Sequence, residues 1–578
     1  MRALKKIPFL RELAILLFLL FAYKNFLYKK DLKQHTPIIC ADGRGYYEYL
    51  PATFIYKDFH FSYLDTIQSE FYPNDLMKTF YENHIDGHRV DKYFIGTAVM
   101  QAPFFLVAHF LATTGISSSP PDGFSAIYQR SIFYAALFYL FLGLIFIRKL
   151  LQSYNIHWLA IFVIQGITLF GTPLMHYVLY DSAYSHVYSF FLISAFIWVI
   201  RSYFMNHGGK LIVMALILLG LIIIVRPVNV LVLCFLPVLT PSFRILIKEI
   251  KYLIQKQFSW FALGIFTLIL ILSIQCVNSY LQTENAFKYT YGEEGFNFLN
   301  PQFFKFLFSY HKGFFLWTPW WLLVFVCSSI VLIGLKKWYY LFGFLGAFII
   351  IVYVFSSWHA WSYGASIGQR PMVDFYAVFI LAFIPILKWG KKWISYLLLG
   401  LAFPVCLLMQ VQIMQYEKAI IVWDGMNKEI YWKTFLILDD KYSWYFSKPP
   451  ISLGEKQQEL KLKHYSFSVT KPLSYTWIDS IPLGFINSET EYVECYMELN
   501  RTPESEAINL IFYDDNNQEI ANLKQGLFFN HFDNNKVSLR VILPKNKDDF
   551  VSVKVEISNI ELPLKIKEAK IITYKKQN

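Results

Sequence analysis

The sequence predicts a mainly α-helical, polytopic membrane protein with about eleven transmembrane helices, followed by an extracytoplasmic all-β sandwich domain. Two observations predict this fold class. The 578 residues are 56% hydrophobic and 19% aromatic, with a mean hydropathy of +0.38, and a soluble core of this size needs less apolar surface. Long apolar stretches end near residue 413, and short segments that alternate polar and apolar residues follow.

The first apolar stretch ends near Tyr28 and follows a basic segment. It lacks a small-residue cleavage site, so we expect a retained helix rather than a secretory signal. Ten further apolar stretches, each bounded by polar or charged residues, predict spans near residues 125–147, 157–175, 184–202, 211–225, 228–240, 258–279, 314–335, 339–356, 372–387 and 393–412.

The net charge of +12 is explained by membrane topology rather than by a nucleic-acid partner, because most Lys and Arg residues lie in short loops between apolar stretches. Alternate loops hold thirteen basic residues, whereas the intervening short loops hold only Arg226 and Arg370. Since basic loops face the cytoplasm, we expect a multi-pass protein of the cytoplasmic membrane with its N-terminus inside and its C-terminal domain outside.

Three stretches depart from the simple pattern of one helix per span. Residues 94–112 are apolar, but counting them as a span would reverse every later loop, so we expect an interfacial or re-entrant helix there. Residues 211–225 and 228–240 are too short to cross about 30 Å upright, and Arg226-Pro227 separates them. Short or broken helices usually line a cavity.

Composition divides the chain into a predicted transmembrane domain at 1–412 with a first outer loop at 29–124, a linker at 413–445 and a β-sandwich domain at 446–578. The six cysteines form no CxxC pair, so the sequence indicates neither a disulfide framework nor a zinc site. No Gly-rich phosphate loop is present, and we expect no cofactor and no metal.

The segment Asp42–Pro51 places two acids, one base and three tyrosines shortly after the first apolar stretch, at the predicted outer surface. Asp42 can act as a general base toward an acceptor hydroxyl. Tyr46 and Tyr47 can stack on the faces of sugar rings. The structural alternative is an Asp-Gly turn with interfacial tyrosines.

Basic residues on the same predicted face suit a phosphate group. The Lys92 cation can neutralise a phosphate leaving group, or it can snorkel to the membrane surface. Arg370 follows a loop of aromatic and small residues, and its guanidinium fork suits a phosphate, with His359 as a second donor. The structural alternative for Arg370 is an ion pair with Asp374, four residues later.

The remaining candidates carry weaker signals. For Arg226, contact with a phosphate or lipid head group competes with a structural pair to Asp181. His186 is expected to form hydrogen bonds at a cavity rim, and Trp358 and Trp361 are candidates for binding a sugar or an acceptor. The pair Glu293-Glu294 is interpreted as part of a solvated loop.

These features together resemble the GT-C class of lipid-linked-sugar glycosyltransferases, which includes protein O-mannosyltransferases and aminoarabinose transferases. The resemblance covers roughly residues 1–440 and lies in an acid just after helix one, a large first outer loop and about eleven spans. The segments that look like bacterial members are Lys92-Tyr93-Phe94-Ile95-Gly96, Tyr184-Ser185-His186, Arg226-Pro227 and Gly364-Ala365-Ser366-Ile367-Gly368-Gln369-Arg370.

The resemblance implies that Asp42 is the catalytic base and that Lys92 and Arg370 hold the donor phosphate. The chain departs from the family because no second acid stands next to Asp42, which leaves Glu48 and Asp91 as candidate assisting acids. The implied reaction moves a hexose or pentose from a polyprenyl phosphate to a glycan, lipid or protein acceptor outside the membrane, with inversion at the anomeric carbon.

Two other functions remain open at this stage. A polysaccharide polymerase or ligase would use the same lipid-linked donor with a different acceptor. A lipid-glycan transporter or flippase would place charges within its helices, and the nearly charge-free spans argue against ion-coupled transport.

Overall fold

The computed structural model describes residues 10–22, 38–71, 82–85, 87–423 and 425–439, and then ten strand segments between 456 and 575. The chain divides into two compact units, of which the first extends to Gln410 and the second begins at Val411.

The helices of the described residues, in chain order, are α1 Leu10–Ala22, α2 Asp42–Pro51, α3 Leu64–Phe71, α4 Gly96–Thr113, α5 Ala126–Ser153, α6 Trp158–Phe170, α7 Leu174–Leu179, α8 His186–Asn206, α9 Gly209–Val225, α10 Phe243–Lys256, α11 Phe258–Thr283, α12 Phe303–Phe308, α13 Phe314–Trp317, α14 Pro319–Gly334, α15 Trp338–Ser356, α16 Tyr376–Phe379, α17 Phe383–Trp389, α18 Lys392–Glu417 and α19 Lys428–Lys433. A π-helical turn, Ala52–Tyr56, follows α2, and 3₁₀ segments lie at Pro227–Leu239, Arg370–Phe375 and Ile380–Ala382. Strands β1 Glu82–Ile85 and β2 His88–Asp91 form an antiparallel pair before α4.

Seven helical segments of the described residues are long and apolar enough to cross a membrane: α4, α5, α8, α11, α15, the continuous stretch Arg370–Trp389, and α18. An eighth arises if the 3₁₀ segment Pro227–Leu239 and α10, which meet at 112°, count as one bent span. The protein is therefore a multi-pass membrane protein. The count is lower than the eleven predicted because α6, α9 and α14 have only 13, 17 and 16 residues, and the predicted first span extends beyond the described α1.

Helix α4 has 18 residues and meets the length and hydropathy of a span, and its interfacial or re-entrant placement stays a prediction. The segment Pro227–Leu239 differs in geometry. Its 13 residues form a 3₁₀ helix, which rises about 2.0 Å per residue instead of 1.5 Å, so the segment reaches about 26 Å rather than 20 Å. The 3₁₀ form therefore makes the segment longer than the sequence suggested, but about 26 Å still falls short of the about 30 Å needed to cross upright.

The core of the first unit surrounds α8, which is buried on all sides and packs against α5 and α9. Helix α11 is the opposite case. Within its apolar length only Gly264 is buried, and its other buried residues, Asn278, Ser279, Gln282 and Thr283, form a polar group at its C-terminal end. The apolar side of α11 therefore suits lipid, while its polar end is anchored inside the protein.

Helix α1 is attached to this core by a buried ion pair. Glu12, which is 0% exposed, accepts hydrogen bonds from Arg148 Nε at 2.8 Å and from Gln165 Nε2 at 2.9 Å. These donors lie on α5 and α6. An acid with two buried partners makes α1 a part of the bundle, which fits the retained first helix expected from the sequence.

The second unit contains α19 and the strands β3 Lys456–Lys461, β4 Ser468–Val469, β5 Leu473–Pro482, β6 Thr490–Leu499, β7 Ala507–Tyr513, β8 Glu519–Gly526, β9 His531–Asp533, β10 Lys536–Ile542, β11 Ser552–Ile560 and β12 Leu564–Lys575. They pair antiparallel in two sheets, one in the order β3-β12-β6-β10-β9 with β4 beside β12, the other in the order β5-β11-β7-β8. The sandwich itself stays a prediction. The turn sequences expected between strands lie mostly outside the described residues.

Replacing Glu12 with Gln should destabilise the first unit by about 3–5 kcal/mol, because the variant leaves the buried Arg148 guanidinium without a counter-charge. Thermal unfolding in detergent measures the effect. The double variant Glu12→Leu with Arg148→Met removes both charges and should recover most of the loss. An unchanged midpoint for Glu12→Gln would contradict the attachment of α1 to the core.

Candidate functional site

The acidic segment after the first apolar stretch is a helix in the structure, not the Asp-Gly turn considered from the sequence. All ten residues of α2 are buried. Gly43 packs against the segment before α8, since a Cβ at this position would lie 2.7 Å from Ala183 Cβ. Burial of the tyrosines and leucine thus outweighs the low helix propensity of the two glycines. The close approach at Gly43 serves the packing of α2 on this segment.

Asp42, the first residue of α2, forms an ion pair with Arg370. Arg370 Nη1 lies 2.5 Å from Asp42 Oδ2, and the two side chains are 15% and 8% exposed. Among the described residues, no hydrogen-bond partner is found for the second oxygen, Oδ1. Asp42 therefore keeps one carboxylate oxygen free for a ligand while Arg370 balances its charge.

The loop before Arg370 is held by a buried lysine that the sequence analysis did not select. Lys312 is 1% exposed, and its Nζ donates to the Gly364 carbonyl and, at 2.9 Å, to Ser366 Oγ. Gly364 and Gly368 both have φ of +61°, a backbone conformation that favours glycine. Because this loop is held in place, the backbone position of Arg370 is set as well.

A second buried ion-pair group lies on α8 and the neighbouring 3₁₀ segments. Asp374 is 0% exposed and accepts hydrogen bonds from His186 Nδ1 at 2.6 Å, Asn229 Nδ2 at 2.9 Å and Arg226 Nη1 at 3.1 Å. Both carboxylate oxygens are thus in use. Arg226 pairs with Asp374, not with Asp181, whose carboxylate contacts His176 Nε2 at 2.9 Å.

Tyr46 connects the two groups. Burial raises the pKa of its hydroxyl; the positive charge of Arg226 lowers this pKa, and the negative charge of Asp42 raises it. A ring that senses both ion pairs lies close to both. We call Asp42, Arg370, Arg226, Asp374 and His186 the paired-arginine site.

An aromatic row leads away from Tyr46. Its ring stacks on Tyr93 with centroids 4.3 Å apart, Tyr93 meets Tyr291 edge to face at 6.2 Å, and Tyr291 meets Trp358 in the same way at 6.0 Å. Burial raises the pKa of Tyr93 and of Tyr291 well above the ordinary value for tyrosine, with Asp42 adding to the effect on Tyr93. These hydroxyls therefore stay protonated and act as hydrogen-bond donors.

Lys92 lies beside this row and pairs with Glu294, with Nζ 2.5 Å from Oε1. Its Nζ is 5.7 Å and 5.8 Å from the ring centroids of Tyr93 and Tyr291. The backbone of Lys92 is fixed as well, because Thr290 Oγ1 donates to its carbonyl at 2.9 Å. Glu294 is therefore an ion-pair partner rather than part of a purely solvated loop.

Three predicted residues are occupied by structural contacts. Glu48 pairs with Arg44 at 2.9 Å, and both side chains are 1% exposed. Tyr47 donates its hydroxyl to the Gly123 carbonyl and packs edge to face on Phe105. Asp91 Oδ1 accepts the backbone N–H of Tyr93 at 2.9 Å. The described contacts of Glu48 and Asp91 use one carboxylate oxygen of each residue, and the roles expected for all three residues stay predictions.

His359 and Trp361 lie in the loop between α15 and Arg370, but the structure does not place them in the paired-arginine site. His359 is exposed, its ring lies 4.8 Å from that of Trp358, and its backbone N–H donates to Gly295 at 2.9 Å. The Trp361 ring contacts His311 at 5.8 Å. Trp358 alone of these three extends the aromatic row.

Sequence reasoning missed the roles of Asp374, Asn229 and Lys312. Asp374 carried a usable signal, because an acid within an apolar span is costly and must find partners. Lys312 carried a similar signal at the start of the predicted span 314–335. Asn229 had none, since a single amide in an apolar stretch matches no pattern.

Within the part of the chain that the structure describes, no group of three or more His, Cys, Asp or Glu residues could hold a metal ion. No protein-family model and no curated protein matches the sequence. Among solved structures, the chain is similar to a cryo-EM structure of EmbB from Mycobacterium smegmatis, with 8% identity and a TM-score of 0.34. That protein is an arabinosyltransferase. The match covers 83% of this chain, which spans 60% of that structure.

A TM-score of 0.34 assigns neither fold nor activity, so the case for a function comes from the residues of the site. What the structure shows directly is a multi-span helical membrane protein with two largely buried arginine–carboxylate groups. The resemblance to the GT-C class stays a prediction.

Replacing Gly96 with Ala should destabilise the fold by about 1–3 kcal/mol, because the new Cβ would lie 2.3 Å from the Ile224 carbonyl carbon. Relief of this clash would displace the C-terminal end of α9, which lies directly before Arg226. Gly166→Ala is the matched control, since a Cβ there meets no heavy atom within 4 Å and alanine favours the helix. Thermal unfolding should separate the two variants. Equal midpoints would show that Gly96 does not position α9.

Proposed function

We propose that the protein is a membrane glycosyltransferase that moves a sugar from a polyprenyl-phosphate donor to an acceptor hydroxyl on the outer face of the cytoplasmic membrane. The observation that carries the proposal is the contrast between the carboxylates of the site. Asp374 uses both oxygens to hold three donors, and Glu48 is buried in its pair with Arg44. Asp42 is the most exposed of these three carboxylates, at 8% against 1% for Glu48 and 0% for Asp374, and its described ion pair with Arg370 uses only Oδ2.

Asp42 fits the role of general base because its open oxygen can accept the acceptor hydroxyl's proton at hydrogen-bond distance. As the proton moves to Asp42, the acceptor oxygen bonds to the anomeric carbon and the bond from that carbon to the phosphate oxygen breaks. The polyprenyl phosphate leaves with the electron pair. Attack opposite the leaving group inverts the anomeric carbon.

The charge that develops on the departing phosphate needs fixed positive charge nearby. Arg370 supplies it directly, since Asp42 occupies only one of its terminal nitrogens in the described contacts. Arg226 is held in place by Asp374 and adds a second guanidinium that needs no rearrangement at the moment of reaction. Lys92 is a third cation, and it would exchange the partly exposed Glu294 for the phosphate.

The aromatic row supports the sugar-binding part of the proposal. Tyr46, Tyr93, Tyr291 and Trp358 offer ring faces and donating hydroxyl or indole groups beside the base, which suits the apolar faces and hydroxyls of a sugar. Tyr47 and Trp361 are not part of this row. His186 contributes by fixing Asp374 rather than by touching the sugar.

The orientation with the site outside and the basic loops inside, and a sandwich formed by the two sheets of the second unit, belong to the same proposal. Transport coupled to ions is disfavoured, because the acid within a span, Asp374, has both oxygens taken by fixed donors. A polymerase or ligase would share the donor and the base, and would differ only in its acceptor.

Asp42→Asn should lower sugar transfer at least about 100-fold, because the amide cannot take the proton. Transfer of labelled sugar from polyprenyl phosphate by purified protein in detergent measures the rate. Asp65→Asn is the matched control: this acid lies on α3, its side chain is 81% exposed, and its partner is Arg89. It should keep the wild-type rate.

Two results would go against the proposal. Full transfer by Asp42→Asn would remove Asp42 as the base while leaving the transferase activity. No transfer by the folded wild-type protein with any lipid-linked donor would favour a transporter. A thermal unfolding midpoint for each variant separates lost chemistry from lost folding.

A further inference from the structure

A cavity of about 190 Å³ lies at the other end of the elements that carry the paired-arginine site. Helix α8 begins with His186 and reaches Arg201 fifteen residues later, about 22 Å along its axis. The span Arg370–Trp389 begins at the site and ends with Lys388 and Trp389 at the cavity. The 3₁₀ segment likewise starts after Arg226 and ends at Leu239, which lines the cavity. The two sites are therefore separate.

The cavity carries positive charge without a balancing acid. Arg201 and Lys388 line it, and none of its described lining residues is Asp or Glu. Lys388 is exposed, so the cavity reaches the protein surface. Two cations at the mouth of a cavity favour an anionic ligand.

Two described contacts hold the Arg201 side chain beside the cavity. Its Nη1 donates to the Leu239 carbonyl at 3.0 Å, and its Cζ lies 4.3 Å from the centroid of the Tyr154 ring. Among the described residues, the buried Arg201 Nε has no hydrogen-bond partner, and neither has the buried Tyr154 hydroxyl. Both residues line the cavity, so its cationic end contains two polar groups whose hydrogen bonds the described protein does not satisfy.

The rest of the lining is mostly apolar. It includes Val238, Leu332, Phe344, Leu381 and Ile384. A free anion such as inorganic phosphate would gain nothing from these side chains, whereas an acyl or prenyl chain would bury apolar surface against them. The lining therefore suits an amphiphile with a small anionic head.

We propose that this cavity binds the phosphate head group of an anionic lipid. Arg201 and Lys388 supply the positive charge that holds the phosphate, and the lipid chain lies along the apolar lining. The same chemistry is offered by an anionic phospholipid and by a polyprenyl phosphate. Neither source requires the glycosyltransferase activity proposed above.

Native mass spectrometry of the purified full-length protein tests this proposal with four probes: phosphatidylglycerol, a polyprenyl phosphate, diacylglycerol and inorganic phosphate. Arg201→Gln and Lys388→Gln should each weaken binding of the phosphate-bearing lipid about tenfold or more, as expected for loss of one charge-assisted contact. Lys392→Gln is the matched control, because this exposed lysine lies at the same end but does not line the cavity.

The probes also distinguish the sources. If lipids that co-purify with the protein are replaced by added phosphatidylglycerol, the cavity is a phospholipid site. If the protein binds polyprenyl phosphate more tightly than phosphatidylglycerol, the cavity is a prenyl-lipid site. Because the method counts bound lipids, a molecule at the paired-arginine site is still seen in the cavity variants. Unchanged binding in both variants, equal binding of diacylglycerol, or equal binding of inorganic phosphate would overturn the proposal. Lys388→Gln keeps the test valid if Arg201→Gln does not fold, since Lys388 is exposed.

Discussion

The ion pair between Asp42 and Arg370 is the contact on which the arrangement of the site depends. It joins the start of α2 to the start of the span Arg370–Trp389, two segments far apart in the sequence. Charges in an apolar interior are stable only as partners, so each residue holds the other at its place. Contacts that hold one residue of this ion pair in place therefore also hold the other. Lys312 fixes the loop before Arg370, and the packing of Gly43 on Ala183 fixes the helix that begins at Asp42.

The three acids near the site show how burial and partner number divide similar residues into different roles. Glu48 is balanced by one arginine deep in the protein, and Asp374 is saturated by a guanidinium, an imidazole and an amide. A saturated carboxylate cannot take a proton without losing a donor, but it holds a neighbouring cation firmly. Asp42 has fewer described partners than Asp374. The same residue type thus supplies a rigid support in one position and an available oxygen in another.

The sequence was sufficient to find most of the residues of the site but not their partners. Asp42, Arg226 and Arg370 could be selected because charges close to apolar stretches are costly. Their ion-pair partners could not be predicted, because no local sequence pattern joins segments so far apart. The local rule for Arg370 and Asp374 was wrong for a physical reason. Residues i and i+4 share a face of an α-helix, whereas Arg370–Phe375 is a 3₁₀ turn with three residues per turn, which turns Asp374 toward Arg226.

The long segment Pro227–Leu239 is also a 3₁₀ helix. It begins directly after Arg226, and at its other end the Leu239 carbonyl accepts a hydrogen bond from Arg201. Runs of 3₁₀ helix longer than three or four residues are uncommon, because their hydrogen bonds are less well aligned than those of an α-helix. Each residue that changed to α-helix would shorten the segment by about 0.5 Å and rotate the following side chains by about 20°. The segment is therefore longer than an α-helix of the same number of residues, and its length sets the distance between its two ends. A lipid at one end and a sugar donor at the other would contact elements that this one segment joins.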